Sequence, residues 1–381
     1  MRDNVAYCAL GRIFGYEPRT ARLLVEKCGS AEAFFNLSSG EQHSVLGPYS
    51  KAAGTDFRRE YEAAEAELER LVADDCRFVA LGDSAYPANL RECEDAPMGL
   101  YVKASSPPEE VFGNGLMVAI VGTRDISPYG EEWCRRIVSG LSQCRNKPVI
   151  VSGFALGTDI IAHRMALECG LRTIAVLPTG IDEIYPRRHI PDAAILARTE
   201  GCALVTDYPT GTQAQAINFL RRNRIIAGLS LATILIESKE KGGGLITSGF
   251  AFGYGRDVFA LPGRIDDLRS RGCNALIAST KAKAVTDIGM LLRDLGLGRW
   301  NRLQGKSLVK EIEDRYGSRS DLAQIVSVAE LIKERRGIYA EEICRETGIS
   351  YKDTLRLITL LESDGIVSSD LLQRCSIVYK Y

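Results

Sequence analysis

The densest group of side chains suited to chemistry lies in residues 218–224, which read Asn-Phe-Leu-Arg-Arg-Asn-Arg. Arg221, Arg222 and Arg224 follow Phe219 closely. Guanidinium groups bind phosphate through paired hydrogen bonds, and an aromatic ring offers a face on which a base can stack. The segment therefore predicts a contact to single-stranded nucleic acid. The ordinary alternative is a core position for Phe219 and structural ion pairs for one or two of the arginines.

Glycine-hinged loops follow several short apolar runs and supply further phosphate-binding groups. Gly122 allows a sharp turn, and Arg124 follows just before a predicted helix start, where backbone N–H groups favour an anion. The alternative for Arg124 is pairing with a nearby carboxylate. Three glycines after Lys241 predict a nest of backbone donors. The candidate phosphate-binding residues are Gly122, Thr123, Arg124, Ser152, Gly153, Asn218, Phe219, Arg222, Asn223, Arg224, Lys241, Gly242, Gly243, Gly244 and Thr247.

Other chemistries fit these loops poorly. The second loop, residues 151–159, spaces its glycines as G-x-x-x-G rather than G-x-G-x-x-G, so no NAD site and no other cofactor is predicted. Asp159 is a helix N-cap or a ligand contact, and His163, one turn later, is expected to be held by Asp159 in the packing rather than to form a catalytic pair. Asp182 and Glu183 have no nucleophile nearby, and we interpret them as a turn and helix start. No catalytic residue and no metal site is predicted.

The elements that must position these loops alternate between apolar runs and helical stretches. Residues 116–121, 149–151, 173–177, 203–205, 232–236 and 258–261 are almost continuously hydrophobic, as strands buried on both faces are. Helical segments at 130–144, 159–169, 192–199 and 217–227 lie between most of them. The pattern predicts an α/β fold with a doubly wound, Rossmann-like parallel sheet, whose ligands bind beyond the carboxyl ends of its strands.

The flanking regions predict two further domains. Residues 1–73 form short helices with no strand-like run, and residues 74–297 form the Rossmann-like domain. Residues 298–320 are polar and of mixed charge, which predicts a linker. Residues 321–381 predict a winged-helix domain, with helices at 325–335, 340–347 and 351–362 and a hairpin of 365–367 with 377–379.

Composition limits the class of protein. The chain has 381 residues and a formal net charge of −1, so any nucleic-acid site must be a local positive face rather than a wholly basic surface. Its 11 cysteines include no C-x-x-C pair, which indicates buried thiols in a reducing cytosol rather than zinc ligands or disulfides. No apolar run approaches the ~20 residues of a membrane span. We expect a cytoplasmic protein without a membrane partner.

Taken together and in this order, the loops resemble the DprA (Smf) family of DNA-processing proteins, from about residue 86 to 292. The motifs are VGTR, SGFALGTDIIAH, TIAVLPTGIDEIYP, YPTG, NFLRRNRIIAGLS, GGGLITS and GRDVFALPG. The resemblance implies an extended Rossmann-like core that binds single-stranded DNA, usually as a homodimer. It also implies loading of a RecA-type recombinase during natural transformation, and it implies no ATPase or nuclease activity. The N-terminal helices are similar to a helix-hairpin-helix or SAM-like module that contacts the DNA backbone or a protein.

This chain departs from the family pattern at three places. Thr123 stands where serine is common, Pro178 where glycine is common, and residues 213–216 (Gln-Ala-Gln-Ala) lack the usual proline and the occasional lysine. The predicted recognition helix offers only Lys352 and Arg356, which favours a protein-contact role over reading of a DNA groove. Two other functions stay open. One is a nucleotide phosphoribohydrolase, although residues 242–249 lack the glutamate of that class, and the other is a small-nucleotide sensor.

Overall fold

The computed structural model describes residues 2–47, 50–73, 75–113, 115–297, 308–335, 337–369 and 373–377. Its contacts divide the chain into two compact units, Met1–Trp300 and Asn301–Tyr381. Each unit has its own hydrophobic core, the second built from residues such as Ile325, Leu357 and Val367. No helix in the described ranges is both long enough and apolar enough to cross a bilayer.

A sheet of nine described strands forms the centre of the first unit, in the order β1-β2-β6-β5-β4-β3-β7-β8-β9. The six predicted strands are present and parallel to one another, but the sheet is mixed, because β1 and β2 pair antiparallel at one edge. The strands are β1 (Cys76–Ala80), β2 (Gly99–Lys103), β3 (Met117–Val121), β4 (Val149–Ser152), β5 (Thr173–Val176), β6 (Ala203–Thr206), β7 (Ala232–Leu235), β8 (Asp257–Ala260) and β9 (Lys283–Ala284).

Helices cover both faces of this sheet. Successive residues of β3 contribute to two cores, with Met117 and Ala119 on one face and Val118 and Ile120 on the other. This double burial explains why the strands are apolar throughout. The helices of the unit are α1 (Arg2–Phe14), α2 (Pro18–Cys28), α3 (Ala31–Phe35), α4 (Ser39–Leu46), α5 (Phe57–Ala73), α6 (Ala88–Arg91), α7 (Pro108–Val111), α8 (Pro128–Ser142), α9 (Thr158–Glu168), α10 (Ile190–Arg198), α11 (Ala216–Leu229), α12 (Gly243–Gly253), α13 (Arg271–Ala278) and α14 (Ile288–Asp294).

The strand order places a topological switch point between β3 and β7. From β3 the chain proceeds through β4, β5 and β6 on one side, and β7 then returns to pair with the opposite edge of β3. The loops after β3 and β7 leave the carboxyl end of the sheet as neighbours, and a crevice opens between them. The mainly parallel, Rossmann-like sheet predicted from the sequence is therefore confirmed, with antiparallel strands added at one edge.

The five N-terminal helices share a core with the sheet. Val5 and Ala9 of α1 and Ala64 of α5 belong to one buried cluster with Phe154 and Ala175 of the sheet region. Contacts therefore place residues 1–73 in the same compact unit as the strands. The helical character predicted for this segment is confirmed, but the boundary predicted at residue 73 does not separate two compact units.

The second unit contains four described helices and one hairpin: α15 (Leu308–Tyr316), α16 (Leu322–Glu334), α17 (Ala340–Thr347), α18 (Tyr351–Ser363), β10 (Val367–Ser369) and β11 (Cys375–Ile377). The prediction of a linker over 298–320 is wrong for 308–316, because Ile312 and Tyr316 are buried in the core of this unit. Residues 298–307 lie outside the described ranges. The hairpin pairs 367–369 with 375–377, so the prediction is shifted, and 378–379 lie outside the described residues.

Candidate nucleic-acid interface

A cleft of about 710 Å³ opens at the switch point between β3 and β7. The loop after β3 forms one wall, the loop after β7 and the start of α12 form a second, and α11 forms the third. This is the crevice in which open α/β sheets bind ligands. The residues that line it are Val121, Gly122, Thr123, Arg124, Asp125, Ala155, Asp159, Tyr185, Ala214, Ala216, Phe219, Leu220, Arg222, Asn223, Ile226, Ser238, Lys239, Lys241, Gly242, Gly243, Gly244 and Thr247.

Arg124 lies over the ring of Phe219, with its Cζ atom 4.7 Å from the ring centroid. The side chain is exposed, and no carboxylate of the described residues pairs with it, so the alternative of an ion pair is not realised. Stacking on an aromatic face holds the guanidinium without using its N–H donors. Arg124 therefore presents its hydrogen-bond donors to a ligand at the mouth of the cleft.

Glycines allow the walls of the cleft to approach one another. A Cβ atom on Gly122 would lie 2.4 Å from Oγ1 of Thr158, and one on Gly244 would lie 3.2 Å from Cα of Gly122. Thr158 donates from both its N–H and its Oγ1 to the carbonyl oxygen of Thr123, at 3.2 Å in each case. The loop after β3 is thus fixed against α9 and against the start of α12.

The N-terminus of α12 supplies the second wall. Gly242 is its N-cap residue, and Gly243 and Gly244 form its first turn. The first N–H groups of a helix have no intrahelical acceptor and attract anions. Lys239 and Lys241 are exposed beside this helix end. The wall therefore combines backbone donors with two mobile positive charges.

Arg222 and Asp159 form a buried polar floor. Nη1 of Arg222 donates to the carbonyl oxygens of Gly153 and Val176, and its Nε donates to Asn223 Oδ1 at 3.3 Å. Burial lowers the pKa of Arg222 to about 10 and raises that of Asp159, whose charge Arg222 in turn favours. Arg222 lines the cleft as predicted, but most of its donors are already used by the protein.

Four predicted site residues lie outside the cleft lining, and Arg224 is the clearest correction. It is 7% exposed, forms an ion pair with buried Asp207, and donates to the Asp95 carbonyl oxygen at 2.6 Å. The interpretation of Arg224 as a phosphate contact is therefore wrong, and the alternative of a structural ion pair is confirmed.

Ser152, Gly153 and Asn218 support the cleft from behind. Oγ of Ser152 donates to the Ile120 carbonyl oxygen at 2.6 Å, and Asn218 is fully buried. A Cβ atom on Gly153 would lie 2.6 Å from Nη2 of Arg222, so this position needs glycine. These three residues were predicted as direct contacts, but the structure places them behind the contact surface.

Among the lining residues that the sequence did not predict, Tyr185 and Lys239 are the two whose side chains could bind a base or a phosphate. The Tyr185 ring centroid lies 5.4 Å from that of Phe219 in an edge-to-face arrangement, and Lys239 precedes Lys241 at the same wall. Lys239 carried a usable signal, since it lies between a strand and a glycine loop. Tyr185 carried none, because it comes from a loop whose path depends on tertiary packing.

The acid and histidine side chains weighed as catalytic groups have structural partners. His163 is buried, and its Nδ1 lies 2.7 Å from Oγ1 of Thr173. The prediction that Asp159 holds His163 is therefore wrong. Asp182 accepts the Gly211 N–H at 2.9 Å, and Glu183 accepts Nε2 of Gln213 at 3.0 Å. Among the described residues, no three His, Cys, Asp or Glu side chains are placed to hold a metal ion.

Comparison with known proteins gives one consistent result. The family model for DNA recombination-mediator protein A matches residues 77–296. The Smf protein of Synechocystis is 39% identical over 220 residues, and the match spans 58% of this chain but only 54% of that relative.

Two solved structures are also similar. The X-ray structure of DNA processing protein A from Streptococcus pneumoniae aligns with a TM-score of 0.66 and 31% identity, over 76% of this chain and 97% of that one. A structure of DNA processing protein A from Helicobacter pylori, described for its single-stranded DNA binding mode, aligns with a TM-score of 0.50 and 29% identity. The alignment covers 57% of this chain and 95% of that one.

Proposed function

This chain belongs to the family of DNA recombination-mediator protein A, and on that basis we propose that its cleft binds single-stranded DNA during DNA processing. The observation that carries the proposal is Arg124 held over Phe219 at the mouth of a glycine-walled cleft. A cation beside an aromatic face offers one group for a phosphate and one for a base, which is the combination that single-strand binding uses. The H. pylori relative, whose structure concerns binding of single-stranded DNA, supports the same ligand.

Each wall of the cleft contributes a different interaction. Arg124 donates to a phosphate, and the start of α12 adds backbone N–H donors for the same or the next phosphate. Lys239 and Lys241 add charge without fixed geometry, since an ammonium group on a flexible stem binds as a point charge. None of these groups reads a base edge, so we expect little sequence preference.

We propose that the protein acts as a binder rather than as an enzyme. The two acids that line the cleft are engaged, Asp125 with Arg269 at 3.0 Å and Asp159 with the Ala155 N–H at 3.3 Å. Both carboxylates are thus held by other groups of the protein rather than left free to act as a general acid or base. Release of free base from a nucleoside monophosphate would contradict this proposal and favour a phosphoribohydrolase.

The wider role follows the family. We propose that the protein acts in the cytoplasm as a homodimer and passes bound DNA to a RecA-type recombinase in natural transformation. We assign the second unit to a winged-helix module that contacts protein, because Arg356 of α18 already pairs with Asp321 at 3.0 Å and with Asp353 at 3.7 Å. We also propose that the N-terminal helices are a helix-hairpin-helix or SAM-like module.

Fluorescence anisotropy with a labelled oligothymidylate tests the cleft. Arg124→Ala should weaken binding by about tenfold or more and lower the slope of log K against log salt by about 0.7, the value for one phosphate contact on a single strand. Arg136→Ala is the matched control, because Arg136 stacks on Trp133 at 4.4 Å on α8, away from the cleft lining. Equal binding by the Arg124 variant and wild type would overturn the assignment.

A further inference from the structure

A short turn at the rim of the cleft, residues 185–188, carries an aromatic ring and two arginines that the proposed site does not use. We propose that this turn is a second nucleotide subsite, in which Tyr185 stacks a base and Arg187 and Arg188 hold the following phosphates. The inference rests on the proposed function, because it extends the path of the same DNA strand beyond Arg124 and Phe219.

Tyr185 extends the aromatic surface of the cleft outward. It lines the cleft, and its ring lies edge-to-face with Phe219 at 5.4 Å. It is also 43% exposed, so the ring is accessible to a ligand. Arg124, Phe219 and Tyr185 therefore form a continuous row from the mouth of the cleft to its rim. A strand that stacks one base on Phe219 has a second ring next to it.

Arg187 and Arg188 follow Tyr185 in the chain, separated from it by one proline. Arg187 and Arg188 are exposed, and neither forms an ion pair with any residue that the structure describes. Their Cα atoms lie at most roughly 7 and 11 Å from that of Tyr185, since consecutive Cα atoms are never more than about 3.8 Å apart. A guanidinium with unused donors at this distance can reach a phosphate next to a base on Tyr185.

The turn has a fixed position. Arg187–His189 forms a 3₁₀ turn that leads into α10. His189 is only 3% exposed, and its Nδ1 lies 3.0 Å from the Phe154 carbonyl oxygen. The arginines therefore project from a backbone that is anchored in the core. An anchored cation loses less entropy on binding than one on a free loop does.

The neighbouring acids do not neutralise these arginines by direct pairing. Asp182 accepts the Gly211 N–H at 2.9 Å, and Glu183 accepts Nε2 of Gln213 at 3.0 Å. These bonds also place Gly211 and Gln213 beside Asp182 and Glu183. Residues 211–216 contain no lysine or arginine, so a phosphate bound beyond Tyr185 would depend on Arg187 and Arg188 for its positive charge.

Oligonucleotide length separates the second subsite from the first. We would measure binding of a thymidine dinucleotide, which is too short to place phosphates beyond Tyr185, and of an oligothymidylate of about 16 nucleotides, a site size found in single-strand-binding folds. The double variant Arg187→Ala/Arg188→Ala should bind the longer strand about tenfold more weakly and lower its salt slope by about 1.4, while its affinity for the shorter strand changes less than about twofold. Tyr185→Ala should also weaken binding of the longer strand, and Tyr185→Phe, which keeps the ring, should behave as wild type.

The control variant is Arg145→Ala/Lys147→Ala, which changes the net charge equally at exposed positions between α8 and β4, at the opposite end of the strands from the cleft. It should bind both strands as wild type does. No loss by the Arg187/Arg188 variant with either strand, or an equal loss with both, overturns the second subsite. A wild-type protein that binds neither strand overturns the proposed function itself, so the two failures are distinguishable.

Discussion

Arg124 and Arg224 are the same residue type in opposite environments. Arg124 is exposed and stacks on Phe219, whereas Arg224 is 7% exposed and pairs with Asp207, which is as deeply buried. Burial raises the pKa of the Asp207 carboxyl, and the charge of Arg224 opposes that change. A buried pair depends on both members, because removal of one leaves a charge without a partner in the core.

Arg224→Ala should therefore destabilise the fold rather than remove a DNA contact. We expect a loss of about 3–5 kcal/mol in the free energy of unfolding, measured by urea denaturation, because Asp207 would stay buried and unpaired. Arg164→Ala removes an ion pair with Asp192 in which the arginine side chain is 53% exposed. This variant should lose about 1 kcal/mol or less of the free energy of unfolding. A fully stable Arg224 variant that binds no DNA would contradict this assignment.

His163 should make the stability of the protein depend on pH. Burial lowers the pKa of His163 to about 3, from an ordinary value of 6.5. As the pH falls, the imidazole is therefore protonated in the unfolded chain before it is protonated in the folded chain. The contribution of neutral His163 to the free energy of unfolding is complete above pH 6.5 and is lost as the pH falls toward 3. The loss approaches about 1.4 kcal/mol per pH unit within that window.

His163→Asn should flatten this dependence, because asparagine does not titrate and can still bond to Thr173. Urea denaturation at about pH 7 and about pH 5 would reveal a smaller difference for the variant than for wild type. The exposed His43→Asn variant serves as the control. An unchanged slope in the His163 variant would assign the pH dependence to other groups.

At the scale of elements, the N-terminal helices hold α11, the helix that carries Phe219, in place. Glu67 of α5 is 1% exposed, accepts the Thr210 N–H at 2.6 Å and accepts Nη1 of Arg12 at 2.6 Å. Tyr16, after α1, lies 3.8 Å beneath the guanidinium of Arg221 on α11. These contacts join α1 and α5 to the loop that leads into α11, which carries Phe219 and Arg222.

Glu67→Gln should weaken DNA binding without removing a phosphate contact. The variant replaces one carboxylate oxygen by an amide, so either Thr210 or Arg12 loses its acceptor and the loop before α11 shifts. We expect the variant to bind DNA about fivefold more weakly, because it loses about 1 kcal/mol of hydrogen bonding. The slope of log K against log salt should not change, since no phosphate contact is removed. Anisotropy titrations at several salt concentrations measure both quantities.

Glu60→Gln is a matched control for this prediction. Glu60 also accepts from Arg12, at 3.1 Å, but it does not bond to the Thr210 loop. It should leave DNA affinity close to that of wild type. If both variants lose affinity equally, Glu67 acts only through the stability of α1 and α5 and does not position the loop.

At the scale of the molecule, the two units carry their charge differently. The net charge of the chain is −1, so DNA binding depends on where the cations lie and whether they are already paired. In the first unit, Arg124 is unpaired among the described residues, and Lys239 and Lys241 are exposed. In the second, Arg356 on α18 bonds to Asp321 and Asp353. The cations of the proposed cleft are therefore available to a ligand, whereas the arginine of α18 is already paired.

The double variant Lys352→Ala/Arg356→Ala tests this difference. We expect its affinity for single-stranded and duplex oligonucleotides to stay within about twofold of wild type, because Arg356 is already paired and a single remaining lysine is a weak basic patch for DNA. Electrophoretic mobility shift with both kinds of oligonucleotide provides the measurement, with Arg124→Ala as the comparison. A tenfold loss of duplex binding would instead identify α18 as a helix that reads DNA.

The elements of the sheet were predictable because their signal is local. Buried strands require apolar residues at every position, and the six central runs, such as 116–121, have them. The antiparallel strands β1 and β2 were missed, since β1 buries only part of its length and neither follows the pattern of strand and crossover helix. The helix α15 was read as linker from its charges, although Leu308, Ile312 and Tyr316 recur at helical spacing.

The sequence by itself determined the sheet and the glycine loops at its carboxyl end, and it predicted a site of Arg124, Arg222 and Arg224 around Phe219, because strand periodicity and loop chemistry are properties of neighbouring residues. Only the tertiary structure decided which of the arginines after Phe219 remain available. Arg222 and Arg224 lie two residues apart on one helix, and the acceptors that occupy them come from distant segments, Gly153, Val176, Asp95 and Asp207. The availability of a charge depends on what packs against it, and the sequence around that charge does not contain this information.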